Sequence, residues 1–184
     1  RCVRREEVAP EVIEAERGVV VKYMGDALLA VFEPTGDELI GHAACATRAA
    51  ILLADVATQF GKGIEERYPG RGLPKFAMGV GIHTGDVMVG SIGPGRNAEV
   101  TVVGDTVNIA VRLENATQRL GWGIVSSDAT VMAAGEQFSY GRRSLLVPRG
   151  HFASVEVREV KGFAAREDES YPGVIRSLQP ASRV

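Results

Sequence analysis

Short apolar runs of strand length alternate along the chain with longer stretches whose apolar residues recur at helical spacing. Residues 18–24 and 27–32 are two such runs, joined through Gly25 and Asp26, and this pattern predicts a β-hairpin. A second strand pair is predicted over 76–83 and 87–92 around Thr84-Gly85. Further strands are predicted over 99–103, 123–126, 138–147 and 154–161.

Helical periodicity is clearest in two segments. Apolar residues at 39, 43, 46, 50, 54 and 57 predict an amphipathic helix over 38–60, with Asp37 as its N-cap, followed by a loop over 61–75. A second helix is predicted over 105–120, a short one over 127–135, and a partly helical lead-in over 1–17. Together these elements indicate an α+β fold, with helices packed on one face of a mainly antiparallel sheet. We expect one domain over 1–176 and a tail over 177–184.

Composition narrows the function classes. The 184 residues carry a net charge of −2, which argues against general binding of nucleic acid or anionic membranes but leaves room for a local basic pocket. Cys2 and Cys45 are the only cysteines, so a disulfide framework is not implied. Apolar runs long enough to span a membrane and a leader pattern are both missing from the sequence. We therefore expect a cytoplasmic domain without membrane contact, either alone or within a longer membrane-attached or multidomain protein.

The segment from Thr101 to Arg112 carries the most informative chemistry. A β-branched run stops at Gly104, and the helix that follows places Asn108 and Arg112 one turn apart on one face. An amide and a guanidinium beside a helix N-terminus suit a phosphate ester whose negative charge grows during reaction. The alternative is a surface helix capped by Asp105, with Arg112 in solvent.

Other candidates are ambiguous one by one. Asp26 at the hairpin tip suits either a Mg²⁺ or Mn²⁺ ligand or ordinary turn chemistry. Lys22 within an apolar strand either extends to solvent from an edge or enters a polar pocket. The glycine-rich segment 90–96, which ends at Arg96, suits phosphate but lacks the P-loop pattern. Lys161 at the end of a strand is by itself typical of a solvated residue.

Taken in order, these segments resemble the catalytic domain of class III nucleotidyl cyclases, the adenylyl and guanylyl cyclase family. The matching blocks are Val20 to Ala30, Gly81 to Gly93, Thr101 to Arg112 and, more weakly, Val160 to Phe163. The resemblance spans roughly residues 10–176. It implies a ferredoxin-like α+β sandwich that forms a homodimer, with each active site between two subunits.

The resemblance also implies a role for each residue at a matching position. Lys22 corresponds to the residue that reads the adenine edge, with Thr101 as its partner. Asp26 corresponds to the second of two aspartates that bind two Mg²⁺ or Mn²⁺ ions. Asn108 corresponds to the residue that orients the ribose, Arg112 to the one that stabilises the transition state, and Arg96 and Lys161 to those that hold the triphosphate. In such an enzyme Asp26 and Arg96 come from one subunit and the other five residues from its partner.

Base choice follows from hydrogen-bond chemistry at position 22. Lysine is donor-only and satisfies the adenine N1 acceptor, whereas guanine presents an N1–H donor there. Guanylyl relatives carry Glu at the Lys22 position and commonly Cys at the Thr101 position, so the chain resembles an adenylyl cyclase that takes ATP. A threonine at position 101 is also similar to a subgroup of the family in which some members respond to bicarbonate.

One family feature has no counterpart in the sequence. The first metal aspartate of the family lies on an N-terminal strand with a Phe-x-Asp-Ile-like sequence, and no such motif precedes Asp26. We expect either a truncated chain or a domain that has lost half its metal site, with a sheet edge left exposed. Three functions stay open: an adenylyl or guanylyl cyclase domain, inactive if the metal site is incomplete; a silent nucleotide-binding or dimerisation module; and a ferredoxin-like RNA-binding domain.

Overall fold

A computed structural model describes residues 5–34, 41–72, 76–92, 99–147 and 154–164. The helices within these ranges are α1 (Arg5–Ala15), α2 (His42–Arg67), α3 (Asp105–Leu120) and α4 (Asp128–Ala134). The strands are β1 (Val19–Met24), β2 (Ala27–Val31), β3 (Val80–Ile82), β4 (Met88–Ile92), β5 (Glu99–Val103), β6 (Ile124–Ser127), β7 (Phe138–Leu146) and β8 (Val155–Phe163). The predicted α+β class is confirmed.

The strands form one larger sheet and two hairpins. The larger sheet has the order β3-β6-β8-β7, in which only β3 and β6 are parallel. The hairpin β1–β2 is confirmed, and β4 pairs with β5. The predicted pairing of 76–83 with 87–92 is therefore wrong. Glycines explain the difference, because Gly79 and Gly81 let β3 lie against α3, beside β6, and not fold back on β4.

Apolar side chains fill both faces of the larger sheet. Ile124 packs with Ala50 and Ile51 of α2, whereas the next residue, Val125, packs with Leu113 of α3. Since successive residues of a strand point to opposite faces, α2 and α3 cover opposite sides of the sheet. The expectation that the helices share one face is corrected here.

Two helix boundaries also differ from the prediction. Helix α2 continues to Arg67, so the first part of the predicted loop at 61–75 is helical. Its glycines are tolerated, since Gly61 gives Phe76 room to pack and the following residues favour helix. Helix α2 begins after Gly41, and Asp37, the predicted cap, lies outside the described residues. Helix α3 has the predicted bounds, but Gly104 occupies its N-cap and Asp105 is already helical.

No helix in the described part of the chain combines the length and apolar character that crossing a membrane requires.

Candidate active site

The hairpin β1–β2 presents two of the predicted site residues. Gly25 adopts a left-handed φ of 65° in the two-residue turn, and Asp26 follows it at the exposed tip. Lys22 pairs with Leu29 just after an irregularity in the register, and its side chain is exposed. The tight turn therefore fixes a carboxylate and an ammonium at one end of a short, solvent-accessible hairpin.

Strand β5 carries Thr101 beside this hairpin. Thr101 pairs with Gly90 of β4 and is half-buried. Strands β1 and β5 are in contact, so the strands of Lys22 and Thr101 are neighbours in one chain.

A side-chain hydrogen bond ties the first turn of α3, the helix that carries Asn108 and Arg112, to the loop that precedes β4. The Thr106 hydroxyl donates to the Asp86 carbonyl at 2.7 Å, which fixes the loop before β4 to the first turn of α3. Along α3, Asn108 is exposed and Arg112 is half-buried one turn further on. The predicted shared face of these two residues is therefore present.

One chain does not bring all the predicted residues together. Asp26 lines a central cavity of about 2440 Å³, bounded by α1, β2, α2, β3 and the Ala110 side of α3. Arg112 lines a separate depression of about 390 Å³ on another face of α3, with Leu146 and Val155. Asp26 and Arg112 thus lie on different faces of the molecule.

Lys161 lies on β8 in a cluster that the sequence did not reveal. Its Nζ is 3.3 Å from Oε1 of Glu159, whose Oε2 accepts a hydrogen bond from Arg142 Nε at 3.1 Å. The bond from Arg142, followed by that from Lys161, holds the pKa of Glu159 below its ordinary value despite burial. A carboxylate two residues before a lysine on a strand gives no recognisable motif, so sequence reasoning missed both Glu159 and Arg142.

A second polar network that the sequence did not indicate connects β3 to α4. His83 Nδ1 lies 2.8 Å from Ser127 Oγ, which also caps α4 by accepting from the Thr130 amide. Thr130 in turn meets the Thr84 hydroxyl at 2.9 Å. Burial lowers the pKa of His83 below its ordinary value, so the ring is neutral near pH 7. The network secures the loop that leads from β3 to β4.

Asp26, the predicted metal ligand, does not belong to a metal-binding cluster within the described residues. Across the described ranges, no group of three or more His, Cys, Asp or Glu side chains is placed to hold a metal ion. Asp26 is an exposed carboxylate of the type that Mg²⁺ or Mn²⁺ accepts, but one carboxylate does not make a two-ion site. Arg96 lies outside the described residues.

The chain matches known proteins over most of its length. The family model described as the adenylate and guanylate cyclase catalytic domain matches residues 9–156. An adenylate cyclase of Anabaena cylindrica is 33% identical over 153 residues, which cover 81% of this chain and 29% of that protein. Adenylate cyclase 1 of Rhizobium meliloti (strain 1021) is 30% identical over 153 residues, covering 83% of this chain and 22% of that protein. The chain therefore spans less than a third of either curated relative.

Solved structures show the same fold. The guanylyl cyclase Cya2 aligns with a TM-score of 0.72 and 28% identity, covering 88% of this chain and 79% of that one. The adenylyl cyclase CyaB of P. aeruginosa aligns with a TM-score of 0.62 and 22% identity, over 88% of this chain and 80% of that one. The predicted class III cyclase fold is confirmed.

Proposed function

Because the chain belongs to the adenylate and guanylate cyclase catalytic-domain family, we propose that it is an adenylyl cyclase domain that converts cytoplasmic ATP to 3′,5′-cyclic AMP and pyrophosphate. The ribose 3′-oxygen attacks the α-phosphorus in line, the bond to the β-phosphate oxygen breaks, and the 3′-hydroxyl loses its proton. The observation that carries the proposal is the adjacency of the Lys22 and Thr101 strands beside a helix with Asn108 and Arg112 on one face.

Lys22 and Thr101 would select the base. The exposed ammonium of Lys22 donates to the adenine N1 acceptor, and the Thr101 hydroxyl either donates or accepts at the neighbouring edge. A guanine would direct an N1–H at the ammonium and leave both donors unsatisfied. Adenine is therefore the favoured base.

Asn108 and Arg112 would act on the reacting atoms. The Asn108 amide orients the ribose, and the Arg112 guanidinium stabilises the negative charge that develops on the α-phosphate. Arg96 and Lys161 hold the triphosphate. Positioning and charge stabilisation dominate, because phosphoryl chemistry leaves little covalent work for side chains.

A homodimer would complete each site. Asp26 of one subunit would face Asn108 and Arg112 of the other, which accounts for their separation within one chain. Apolar side chains suited to burial project from the β4–β5 hairpin: Met88 is 73% exposed and Val103, its partner in the register, 52% exposed. Two-fold pairing through this hairpin is the assembly that we propose.

The family generally uses Mg²⁺ or Mn²⁺, and two ions are expected here. When bound, they lower the pKa of the attacking hydroxyl and neutralise the leaving group. Asp26 would hold them in part. The central cavity between β2 and β3 is lined mainly by apolar side chains, as a site that accepts a buried strand would be. We propose that a further strand placed there supplies the second carboxylate.

The test is cyclic AMP formation from ATP with Mn²⁺. We expect activity from a version extended N-terminally by one strand that carries an aspartate, and little from the 184-residue chain. An extended version that binds ATP without forming product would favour the second candidate, a silent nucleotide-binding or dimerisation module. The observation that favours that candidate is that no group of three or more His, Cys, Asp or Glu side chains among the described residues is placed to hold a metal ion.

Lys22→Glu tests base choice and the guanylyl alternative, which the likeness to Cya2 keeps open. We expect the ratio of kcat/KM for ATP to that for GTP to fall at least about tenfold, because the carboxylate accepts where guanine donates. Lys62→Glu reverses the same charge on the exposed face of α2 and should leave the ratio unchanged. A wild-type preference for GTP would identify a guanylyl cyclase instead.

A further inference from the structure

The buried carboxylate of Glu159 contacts Lys161, the residue that the proposed function assigns to the triphosphate. Glu159 is 7% exposed, yet its carboxylate contacts Lys161 Nζ at 3.3 Å and Arg142 Nε at 3.1 Å. The Lys161 side chain is itself 55% exposed. A fixed anion thus holds a cation that a ligand in solvent can reach.

The backbone is shaped around this contact. The register between β7 and β8 shifts on both sides of Tyr140, which leaves Gly141 opposite the Glu159 carboxylate. A Cβ at position 141 would lie 2.6 Å from Glu159 Oε2 and 2.7 Å from Lys161 Cε. A side chain at position 141 would push the ends of both neighbours away from the strand, so glycine suits their present positions.

Arg142 anchors the other side of the carboxylate. Its guanidinium lies 5.3 Å from the centre of the Trp122 ring, and Trp122 is buried directly after Gly121, the left-handed residue that ends α3. The Arg142 amide also points at Glu159 Oε2, at 3.4 Å. Arg142, which packs on Trp122 next to the end of α3, therefore holds one side of the Glu159 carboxylate, and Lys161 contacts the other side.

We propose that Glu159 is a positioning residue that holds Lys161 in place for the polyphosphate of the substrate. One carboxylate between two cations leaves a net positive charge at the surface, and the tether spares the long lysine side chain the loss of rotamer freedom on binding. On β8, Val157 packs against α3, so Glu159 faces the sheet side that also carries Asn108 and Arg112. The identity of the substrate in this proposal rests on the proposed function. The binding of a polyphosphate by Lys161 does not.

Glu159→Gln in the active, extended enzyme is the first test. We expect KM for ATP to rise about fivefold to tenfold and kcat to change less than about twofold, since only triphosphate binding loses its preset cation. Inhibition by adenosine, which has no phosphate, should not change. Glu156→Gln on the same strand is the matched control, because Glu156 is exposed.

A double-variant cycle separates positioning from a general packing role. If Glu159 acts through Lys161, Glu159→Gln combined with Lys161→Ala should raise KM no more than Lys161→Ala alone. Additive effects, or a weaker inhibition by adenosine, would overturn the proposal. Should Glu159→Gln fail to fold, Arg142→Gln removes the anchor and should raise KM in the same direction; an unchanged KM would also overturn it.

Calorimetry with inorganic tripolyphosphate distinguishes this inference from the proposed function. Wild-type chain should bind the probe, and Glu159→Gln should weaken that binding about fivefold whether or not cyclic AMP is formed. An inactive wild type whose probe binding still depends on Glu159 would refute the cyclase proposal alone. Equal probe binding by an active wild type and by Glu159→Gln would refute the positioning role alone.

Discussion

Arg112 is the residue on which the proposed chemistry depends most. It lies half-buried on α3, one turn beyond the exposed Asn108, so its guanidinium is only partly solvated. If it stabilises charge only as the reaction proceeds, its removal should lower turnover and leave substrate binding nearly intact.

We expect Arg112→Ala to lower kcat for cyclic AMP formation by two to three orders of magnitude, or about 3–4 kcal/mol, with KM little changed. Steady-state kinetics on the extended enzyme measure both constants. Arg119→Ala removes an exposed guanidinium from the same helix and should have little effect. A wild-type kcat in Arg112→Ala would exclude Arg112 from the reacting centre.

Single residues differ in how far the sequence predicts them. Asn108 and Arg112 were predictable because helical spacing alone places them on one face. Glu159 was not, since a carboxylate near a lysine on a strand is ordinarily solvated. Its burial depends on the bulge at Gly141, which exists only once β7 and β8 are in register.

At the scale of elements, strand β3 lies directly against the backbone of α3. A Cβ on Gly81 would overlap the backbone of α3 at Ala110 and Glu114, where neither partner has a flexible end that can move aside. This close approach sets the position of the helix that carries the proposed reacting residues.

Gly81→Ala should therefore destabilise the fold by about 2–3 kcal/mol through overpacking. Chemical denaturation followed by circular dichroism gives the change in the free energy of unfolding. Gly90→Ala is the control, because no atom lies within 4 Å of a Cβ built there. Equal midpoints for the two variants would mean that the β3–α3 contact is looser than described.

The bounds of an element were predictable where local sequence signals are strong. The prediction failed where contacts with residues far along the chain determine the pairing or the length of the element. Helix α3 begins after Gly104 and ends at Gly121, a left-handed C-cap, as its sequence indicates. The partner of β3 was not predictable, because β6 lies far along the chain and pairs in parallel. Likewise, nothing local states that α2 continues past Gly61.

At the scale of the whole molecule, the proposed dimer divides each site between two copies. Asp26 and Arg112 line separate faces of one chain, so each would meet its counterpart only across the two-fold axis. The sequence predicted this division through family resemblance alone, since spacing along one chain says nothing about a second copy.

Mixing two inactive variants tests the division. Asp26→Asn and Arg112→Ala subunits of the extended enzyme, exchanged in equal amounts, should recover about a quarter of its wild-type activity, because half the dimers then hold one intact site. Arg112→Ala mixed with Asn108→Ala should recover nothing, since both losses fall on the same side of each site. Recovery in the second mixture, or none in the first, would refute the assembly.

The short β1–β2 hairpin has a consequence for regulation. In the proposed dimer, Lys22 on β1 and Asp26 in the turn belong to one hairpin but to different active sites. A shift of that turn would alter base selection at one centre and ion affinity at the other in a single movement. In that assembly an effector that moves the hairpin at one site would also change the other site.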